Sequence, residues 1–262
     1  MPERRVGSAA MAAPPLAGRR YTATRRVRLG DVTPSGRLRL DALARYLQDL
    51  ASDDAADADM PGDAAWVVRR TALDLGTLPR LRDEVALTTW CSGTGARWAE
   101  RSTQLASTTG TVLATSVALW VHVDLETGRP VPLHPRFDEV YGVSAAGRTV
   151  RARLTHPNPP GGAVTRAWPL RRVDADVLAH VNNAAYWAPV EELLGEREHG
   201  RARLVGAELE YRSGIALDEE VTLAVEHDDA KLRCWMCVGD DVRASATVAF
   251  TGVGSDVHRR EA

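Results

Sequence analysis

The chain has 262 residues, and 44% of them are hydrophobic, which is enough for one large domain or two domains of ordinary size. Its formal net charge of -2 and its lack of a basic run argue against a nucleic-acid-binding protein, because such proteins need a concentrated basic face. No apolar run of the sequence approaches the roughly 20 residues that cross a bilayer. Three cysteines are too few for a disulfide framework at this length, so we expect a cytoplasmic protein with no membrane partner.

The hydrophobic pattern after residue 20 predicts one helix followed by a series of strands. A short strand is predicted at 27–29 and a turn at 33–36. Apolar residues then recur at the spacing of one helix face, at Leu40, Leu43, Leu47 and Leu50. The strands that follow are predicted at 65–75, 84–91, 97–105 and 112–123. One helix followed by a run of strands is typical of an α+β module, in which a sheet packs on a single helix.

A second copy of this pattern follows a stretch rich in proline and glycine at 136–165, which we interpret as a linker. Asp174 in the second copy corresponds to Asp31 in the first, and the same offset of 143 residues relates the helices that follow them. A constant offset through a helix is typical of an internal duplication. We therefore predict two fused modules, at 21–135 and 166–253, between disordered tails at 1–20 and 254–262.

The strongest chemical signal is a group of acidic, imidazole and amide side chains before the second predicted helix: Asp174, Asp176, His180, Asn182 and Asn183. A carboxylate and an imidazole commonly transfer protons in catalysis. Asparagine is a good helix cap, and the amides and positive dipole end of a helix N-terminus stabilise a developing anion. The first module has Thr33 and Arg37 where the second has Asp176 and His180, and arginine keeps its proton near neutral pH. We predict one active and one inactive site.

Part of this group has a simpler structural interpretation. Asp174 and Asn183 are residue types that often only cap and turn the chain into a helix. Asp176 and His180 are interpreted as catalytic, because an acid and a base converge there and are missing from the first module. Pro189 lies inside the helix predicted to begin near Asn183, so we expect a kink there or a helix that restarts at Val190.

Cys234 and Cys237 have the spacing of a redox or zinc half-site. Their segment alternates as a strand does, and residues three apart on a strand face opposite sides. We therefore expect two thiols without a joint role.

The whole pattern resembles the fatty acyl-ACP thioesterases, which carry two hotdog repeats in one chain. The Asp-to-His-Val-Asn-Asn segment alone is shared with single-repeat hydroxybenzoyl-CoA-type thioesterases, and the tryptophan-rich first half adds specificity. The resemblance extends from about Tyr21 to Gly252. The matching positions include Trp66, Pro79, Trp90, Gly93, Arg97, Gly110, Ser116 and Trp120 in the first half, and Asp176, His180, Asn182, Asn183, Tyr186 and Tyr211 in the second.

The resemblance implies an α+β fold of two tandem hotdog repeats, each a long helix wrapped by an antiparallel sheet, paired within one chain as a pseudo-dimer. It implies hydrolysis of acyl-ACP or acyl-CoA to free fatty acid without metal or organic cofactor, with Asp176, His180 and Asn182 catalytic. The first repeat then houses the acyl chain, with Trp66, Trp90, Trp98 and Trp120 as candidate lining residues. Because acyl carrier protein is acidic, arginines are expected around the pocket, with candidates at Arg69, Arg70, Arg171 and Arg172. Asn183, Trp66, Arg171 and Arg172 are thus candidate substrate-binding residues, and further pairing into a homodimer stays open.

Two departures from the family pattern support an alternative hypothesis. Leu178 replaces an asparagine, and Gly214 replaces a glutamate, of the plant enzymes. A hotdog protein that binds acyl thioesters without cleaving them, as a sensor or carrier, is therefore the first alternative. A hotdog hydratase or dehydratase is a more distant third, because the sequence contains neither of the motifs that those relatives use.

Overall fold

A ten-stranded antiparallel sheet and few helices make up the computed structural model, which describes residues 12–61, 64–177, 179–196 and 203–251. In the described residues no helix has the length and apolarity needed to span a bilayer. The strands are β1 (Tyr21–Arg26), β2 (Ala64–Leu75), β3 (Glu84–Thr94), β4 (Trp98–Ser107), β5 (Val112–Asp124), β6 (Val164–Trp168), β7 (Arg203–Tyr211), β8 (Val221–His227), β9 (Lys231–Val238) and β10 (Asp241–Thr251). The helices are α1 (Leu40–Asp57), α2 (Pro135–Ala145) and α3 (Ala188–Gly195).

The sheet has the same strand order in its two halves. Neighbouring strands run β1-β3-β4-β5-β2-β7-β10-β9-β8-β6, so the first five strands and the last five are arranged alike on either side of the β2–β7 pair. That central pair is antiparallel, with Leu73 opposite Ala207 and Thr71 opposite Leu209. The predicted α+β class and antiparallel sheet are confirmed.

The hydrophobic core lies on one face of this sheet and is continuous across the two halves. Leu40, Leu43 and Leu50 of α1 are fully buried, as the spacing of the apolar residues predicts, and α1 continues past these residues to Asp57. On β7, Leu209 packs in this core, whereas its neighbour Glu208 points to the opposite face. One face of the sheet therefore carries the core, and the other carries buried polar groups.

Part of the predicted linker is a helix. The segment at 136–145 belongs to α2, which begins with Pro135 in its first turn and with His134 accepting a hydrogen bond from the Arg136 amide, at 3.1 Å. Phe137 and Tyr141 lie one turn apart and are buried. The segment at 136–145 is therefore a helix that packs on β3 of the first half, and the module boundaries stay a prediction.

The chain entering each predicted helix also differs from the prediction. The strand predicted at 27–29 is wrong: β1 lies earlier, at Tyr21–Arg26, and Leu29–Asp31 is a 3-10 turn. In the second half, a 3-10 turn at Ala185–Trp187 precedes α3. Pro189 lies in the first turn of α3, where a missing backbone donor costs nothing, so the helix begins at Ala188 instead of near Asn183.

Cys234 and Cys237 pack in different clusters, as their alternation on β9 predicts. Cys234 lies in the main core, and Cys237 packs with Trp235 in a separate cluster. Burial raises the pKa of the Cys234 thiol to about 12, so it stays protonated at neutral pH.

Candidate active site

Two loops, at 28–40 and 171–183, share one hydrogen-bonding pattern. Each begins with a 3-10 turn in which an aspartate accepts a bond from the backbone amide three residues earlier, with Arg28 bound to Asp31 at 2.9 Å and Arg171 bound to Asp174 at 3.0 Å. The same aspartates offer their carbonyls to the backbone amides of Arg39 and Asn182, at 2.9 and 2.7 Å. Asp174 is buried and fully engaged in this turn, which supports its capping interpretation.

A tight turn in each loop fixes the backbone of one residue, which is Thr33 in the first half and Asp176 in the second. The Asp176 amide donates to the His180 carbonyl at 2.9 Å, as the Thr33 amide donates to that of Arg37 at 2.8 Å. Gly36 has a left-handed φ of 84°, and Ala179, at the equivalent position, has a φ of 60°. A side chain in this conformation costs roughly 1–2 kcal/mol, so the surrounding hydrogen bonds must offset it. Leu178 lies outside the described residues.

Asp176 lies at a cavity of about 420 Å³ whose wall is built mainly by the first half of the molecule. Asn182 and Asn183 lie beside Asp176 on the wall, and all three are half-buried. Val177 of the same loop and Met60, in the loop after α1, also line it. The remaining wall comes from α1, α2 and strands β2 to β5, at Gln48, Ala51, Ser52, Ala55, Trp66, Cys91, Ala99, Glu100, Arg101, Trp120, Phe137 and Tyr141. The structure thus brings the predicted acidic loop of one half to an internal space of the other.

Much of the cavity wall is aromatic. The ring centroids of Trp66 and Phe137 are 5.3 Å apart, and those of Phe137 and Tyr141 are 4.8 Å apart. Trp66 and Trp120 line the space as predicted, whereas Trp90 and Trp98 do not. Such a wall suits an apolar ligand.

A buried ion pair closes part of the same wall. Arg101 donates to the Asp54 carboxylate at 2.6 Å, and the Tyr141 hydroxyl donates to it at 3.1 Å. Arg19 also pairs with Asp54, which is 1% exposed. Burial raises the pKa of the Cys91 thiol, the one sulfhydryl among the lining residues, so it does not provide a thiolate near neutral pH.

The backbone amide at the start of the helix region has a hydrogen-bond acceptor in the first half and none in the second, among the described residues. At the start of α1, the Leu40 amide donates to the Glu191 carboxylate at 2.8 Å, and Glu191 also pairs with Arg37. The position equivalent to Leu40 is Asn183, and the position equivalent to Glu191 is Gln48, both at the offset of 143. Within the described residues the Asn183 amide donates no hydrogen bond. In the first half the Leu40 amide is therefore hydrogen-bonded to a carboxylate. In the second half the equivalent amide, that of Asn183, stays available as a donor at the cavity.

Gln48 and Trp120 each present a polar atom without a partner. The Gln48 side-chain oxygen and the Trp120 indole nitrogen are buried and find no hydrogen-bond partner among the described residues. Both residues line the main cavity, and with Asn183 they also line a small space of about 30 Å³. The Gln48 oxygen and the Trp120 nitrogen therefore offer one acceptor and one donor beside Asn183, which an ordered water or a polar group of a ligand would satisfy.

His180 is placed differently from its predicted partner Asp176. Its side chain is exposed and does not line the cavity. A Cβ added to Gly214 would lie 3.3 Å from the His180 ring carbon Cδ2, so the ring lies against that loop. The His180 backbone carbonyl, which holds the Asp176 amide, is its connection to the site.

The other predicted site residues divide between two places. The Asn182 side chain accepts the Ala184 amide at 2.9 Å, a capping contact, while its catalytic role stays a prediction. Arg171 lines a second cavity, of about 570 Å³, together with Arg39 and Glu191. Arg172 is exposed and lines neither cavity. These two arginines are therefore not brought to Asp176.

Several wall residues were not singled out from the sequence: Gln48, Arg101, Phe137 and Tyr141. For Gln48 the signal was available, because the offset that relates Asp176 to Thr33 also relates Glu191 to Gln48. Phe137 and Tyr141 fall in or beside the stretch interpreted as a linker, and Arg101 lies within a predicted strand.

Replacing Glu191, whose carboxylate accepts the Leu40 amide, should lower the stability of the fold and leave the cavity intact. We expect Glu191→Gln to lower the free energy of unfolding by about 1–3 kcal/mol, because a charged acceptor for Leu40 and Arg37 is lost. Urea unfolding followed by circular dichroism measures this. The exposed neighbour gives the matched control, Glu192→Gln, for which we expect a change within about 0.5 kcal/mol. Equal effects of the two variants would contradict the assignment.

Family models for the N-terminal and C-terminal domains of acyl-ACP thioesterases match residues 18–141 and 161–250. An uncharacterized protein of Mycobacterium tuberculosis strain H37Rv is 34% identical over 235 residues, covering 88% of this chain and 92% of that protein. Two solved structures share the fold. The 12:0-ACP thioesterase from Umbellularia californica has a TM-score of 0.76 and 21% identity, covering 90% of this chain and 98% of that one. An acyl-ACP thioesterase from Bacteroides thetaiotaomicron has a TM-score of 0.75 and 17% identity, covering 88% and 98%.

Proposed function

The chain belongs to the acyl-ACP thioesterase family, and we propose that it hydrolyses fatty acyl thioesters of acyl carrier protein or coenzyme A to free fatty acids. The observation that carries the proposal is the position of Asp176 and Asn183, from the second half, on the wall of a largely aromatic cavity in the first half. That arrangement places an acid and a free backbone amide beside a space suited to an acyl chain.

We further propose that the molecule is a fused pair of hotdog repeats with one active site. The equal strand order on the two sides of the β2–β7 pair supports this. So does the shared hydrogen-bonding pattern of the two loops that precede the helices. Both loops carry the turn aspartate, Asp31 or Asp174, but only the second carries a carboxylate at the position of Asp176, where the first has Thr33.

In this mechanism Asp176 either removes a proton from a water that attacks the thioester carbon, or attacks that carbon itself to give an acyl anhydride that water then hydrolyses. The carbon–sulfur bond breaks, and the leaving thiolate takes up the proton that comes from water, so that free acid and free thiol are released. The Asn183 amide stabilises the oxyanion that develops on the thioester oxygen, in a site where protein dipoles replace water. Gln48, whose side-chain oxygen needs a donor, accepts a hydrogen bond from the attacking water and holds it near Asp176. His180 acts through its backbone carbonyl, which fixes the Asp176 loop.

The direct test is release of free thiol from acyl-CoA and acyl-ACP over a panel of chain lengths, followed with a thiol reagent. Turnover on either carrier supports the proposal, and the ratio of the two kcat/KM values gives the carrier preference. The exposed position of His180 favours the second candidate, a protein that binds acyl thioesters without cleaving them. Saturable binding without thiol release across the whole panel would favour that candidate.

Filling the cavity along α1 should shorten the acyl chains that are accepted. Ala55 lines the space and lies about 10 Å from Gln48 along the helix axis. We expect Ala55→Leu to lower kcat/KM for long acyl chains by about tenfold or more relative to short ones, because the added carbons occupy space the tail needs. The chain-length profile of thiol release measures this. Ala56→Leu, an exposed neighbour outside the cavity, is the control, and an unchanged profile in Ala55→Leu would place the tail elsewhere.

A further inference from the structure

The segment at 155–157, between the two halves, crosses the outer face of the sheet, opposite the core, and is hydrogen-bonded to that face. The Glu210 carboxylate of β7 accepts the Thr155 and His156 backbone amides at 2.6 and 3.0 Å. The Trp235 indole of β9 donates to the Pro157 carbonyl at 2.8 Å. His156 is thereby held over β7, beside Glu208 and Glu210.

The hydrogen bonds of His156 determine which ring nitrogen carries a proton. Nδ1 lies 3.2 Å from the Ser245 carbonyl oxygen and 3.0 Å from the Ser245 hydroxyl. A carbonyl only accepts, whereas a hydroxyl can donate or accept, so the carbonyl contact favours the tautomer with the proton on Nδ1. In a neutral imidazole, Nε2 then presents its lone pair, and this nitrogen lies 3.4 Å from the Glu208 carboxylate. A lone pair facing a carboxylate is repulsive unless a proton or a metal cation lies between them.

Glu208 has little else to compensate its burial. It is 4% exposed, and its second carboxylate oxygen has no hydrogen-bond partner among the described residues. Glu210 is fully buried beside it, opposite Arg70 of β2, and Arg69 interacts with it electrostatically. In the described part of the chain, the basic group that lies within ion-pairing distance of Glu208 is the His156 ring, which carries a charge only when both its nitrogens are protonated. A buried carboxylate with an unpaired oxygen is costly, so the site calls for a positive charge.

We propose that a divalent zinc-class metal ion binds here through His156 Nε2, Glu208 and Glu210. Candidate ligand atoms of the three side chains lie within 4.8 Å of one another, so a small inward movement brings them onto one ion. An imidazole with carboxylates suits zinc and its transition-metal neighbours, whereas magnesium and calcium prefer oxygen ligands alone. The Nδ1–H bond to Ser245 is the outer contact that orients a metal-binding histidine.

The role assigned to this ion is structural. Glu208 and Glu210 point away from the core face, whereas Leu209 and Tyr211 of the same strand pack in the core. The ion therefore lies on the opposite side of the sheet from the Asp176 cavity and fastens the connecting segment to β7. It takes no part in the hydrolysis, so the two proposals fail or hold separately.

The test measures metal content and metal-dependent stability of untagged full-length protein. We expect protein equilibrated with zinc and then dialysed to retain one equivalent by elemental analysis, and cobalt(II) to give visible absorption bands in its place. His156→Ala and Glu208→Gln should lose this equivalent. His227→Ala, at an exposed histidine, should keep it. Zinc should raise the Tm of the wild-type protein and of His227→Ala, but not that of Glu208→Gln.

Several outcomes would overturn the proposal. Wild-type protein that retains no more zinc than His156→Ala would show that a proton on Nε2, not a metal, balances Glu208. Zinc that persists in Glu208→Gln but is lost in Cys237→Ser would place the metal at a thiol instead. Because Glu208→Gln preserves shape, its own circular dichroism spectrum separates loss of metal from loss of fold.

Discussion

Asp176→Asn should lower kcat/KM for acyl-thioester hydrolysis by about 10²–10⁴-fold, the range typical of a lost general acid or base. Asparagine keeps the size of the side chain and removes its ability to take a proton or attack. The loop should keep its shape, because the backbone bond between Asp176 and His180 does not use the carboxylate. Steady-state thiol release with a saturating series of acyl-CoA or acyl-ACP measures the change.

Two further variants show whether the loss of activity comes from the Asp176 carboxylate itself. Asp218→Asn, at an exposed aspartate outside the cavity, controls for the change of charge and should retain full activity. His180→Ala should lower kcat/KM less than tenfold, because its backbone carbonyl remains. A loss as large as that of Asp176→Asn would return the imidazole to the chemistry and contradict our assignment. Full activity of Asp176→Asn would remove Asp176 from the mechanism.

Gln48→Glu should inactivate the enzyme by reproducing the arrangement of the first half. There, the Glu191 carboxylate accepts the Leu40 amide. An introduced carboxylate at position 48 should accept the Asn183 amide in the same way and remove the donor that the oxyanion needs. We expect kcat to fall by about 10²–10³-fold, as for loss of one oxyanion donor. Single-turnover hydrolysis of a bound acyl thioester measures the chemical step directly.

We expect the fall in kcat of Gln48→Glu to come from the new charge at position 48 and not from a change in side-chain size. Gln48→Ala, which creates space and removes the acceptor for water, should lose less, about tenfold. Gln104→Glu, the same change on β4 at a residue outside the cavity, should leave kcat unchanged. If Gln48→Glu hydrolyses substrate as fast as the wild-type protein, the Asn183 amide is not the oxyanion donor.

The sequence predicts best those elements whose period is regular. Leu40, Leu43 and Leu50 recur at helical spacing, and α1 buries these residues. Strands β2 to β5 agree with the prediction to within three residues at each end, because they alternate between core and outer face, whereas the short strand predicted at 27–29 is wrong. Composition misleads at 136–145, where prolines and glycines nearby suggest a linker, although Phe137 and Tyr141 at a one-turn spacing form the buried face of α2.

The candidate site is predicted in part because its residues come from distant places. Asp176, Asn182 and Asn183 are adjacent in sequence, so one segment identifies them. Their cavity is built by α1, α2 and four strands of the other half, and no local pattern reveals that partnership. The direction of His180 depends on the turn around Ala179, whose left-handed φ is not typical of alanine.

The pairing of β2 with β7 makes each half of the chain a poor candidate for independent existence. β2 spans twelve residues and β7 nine, and both carry large apolar side chains on the core face. Either half expressed alone would present one of them as a long open edge, the kind of surface that recruits other strands and promotes aggregation. Bisecting the chain between α2 and β6 should therefore give soluble material only when both fragments are made together, so that each shields the exposed backbone of the other.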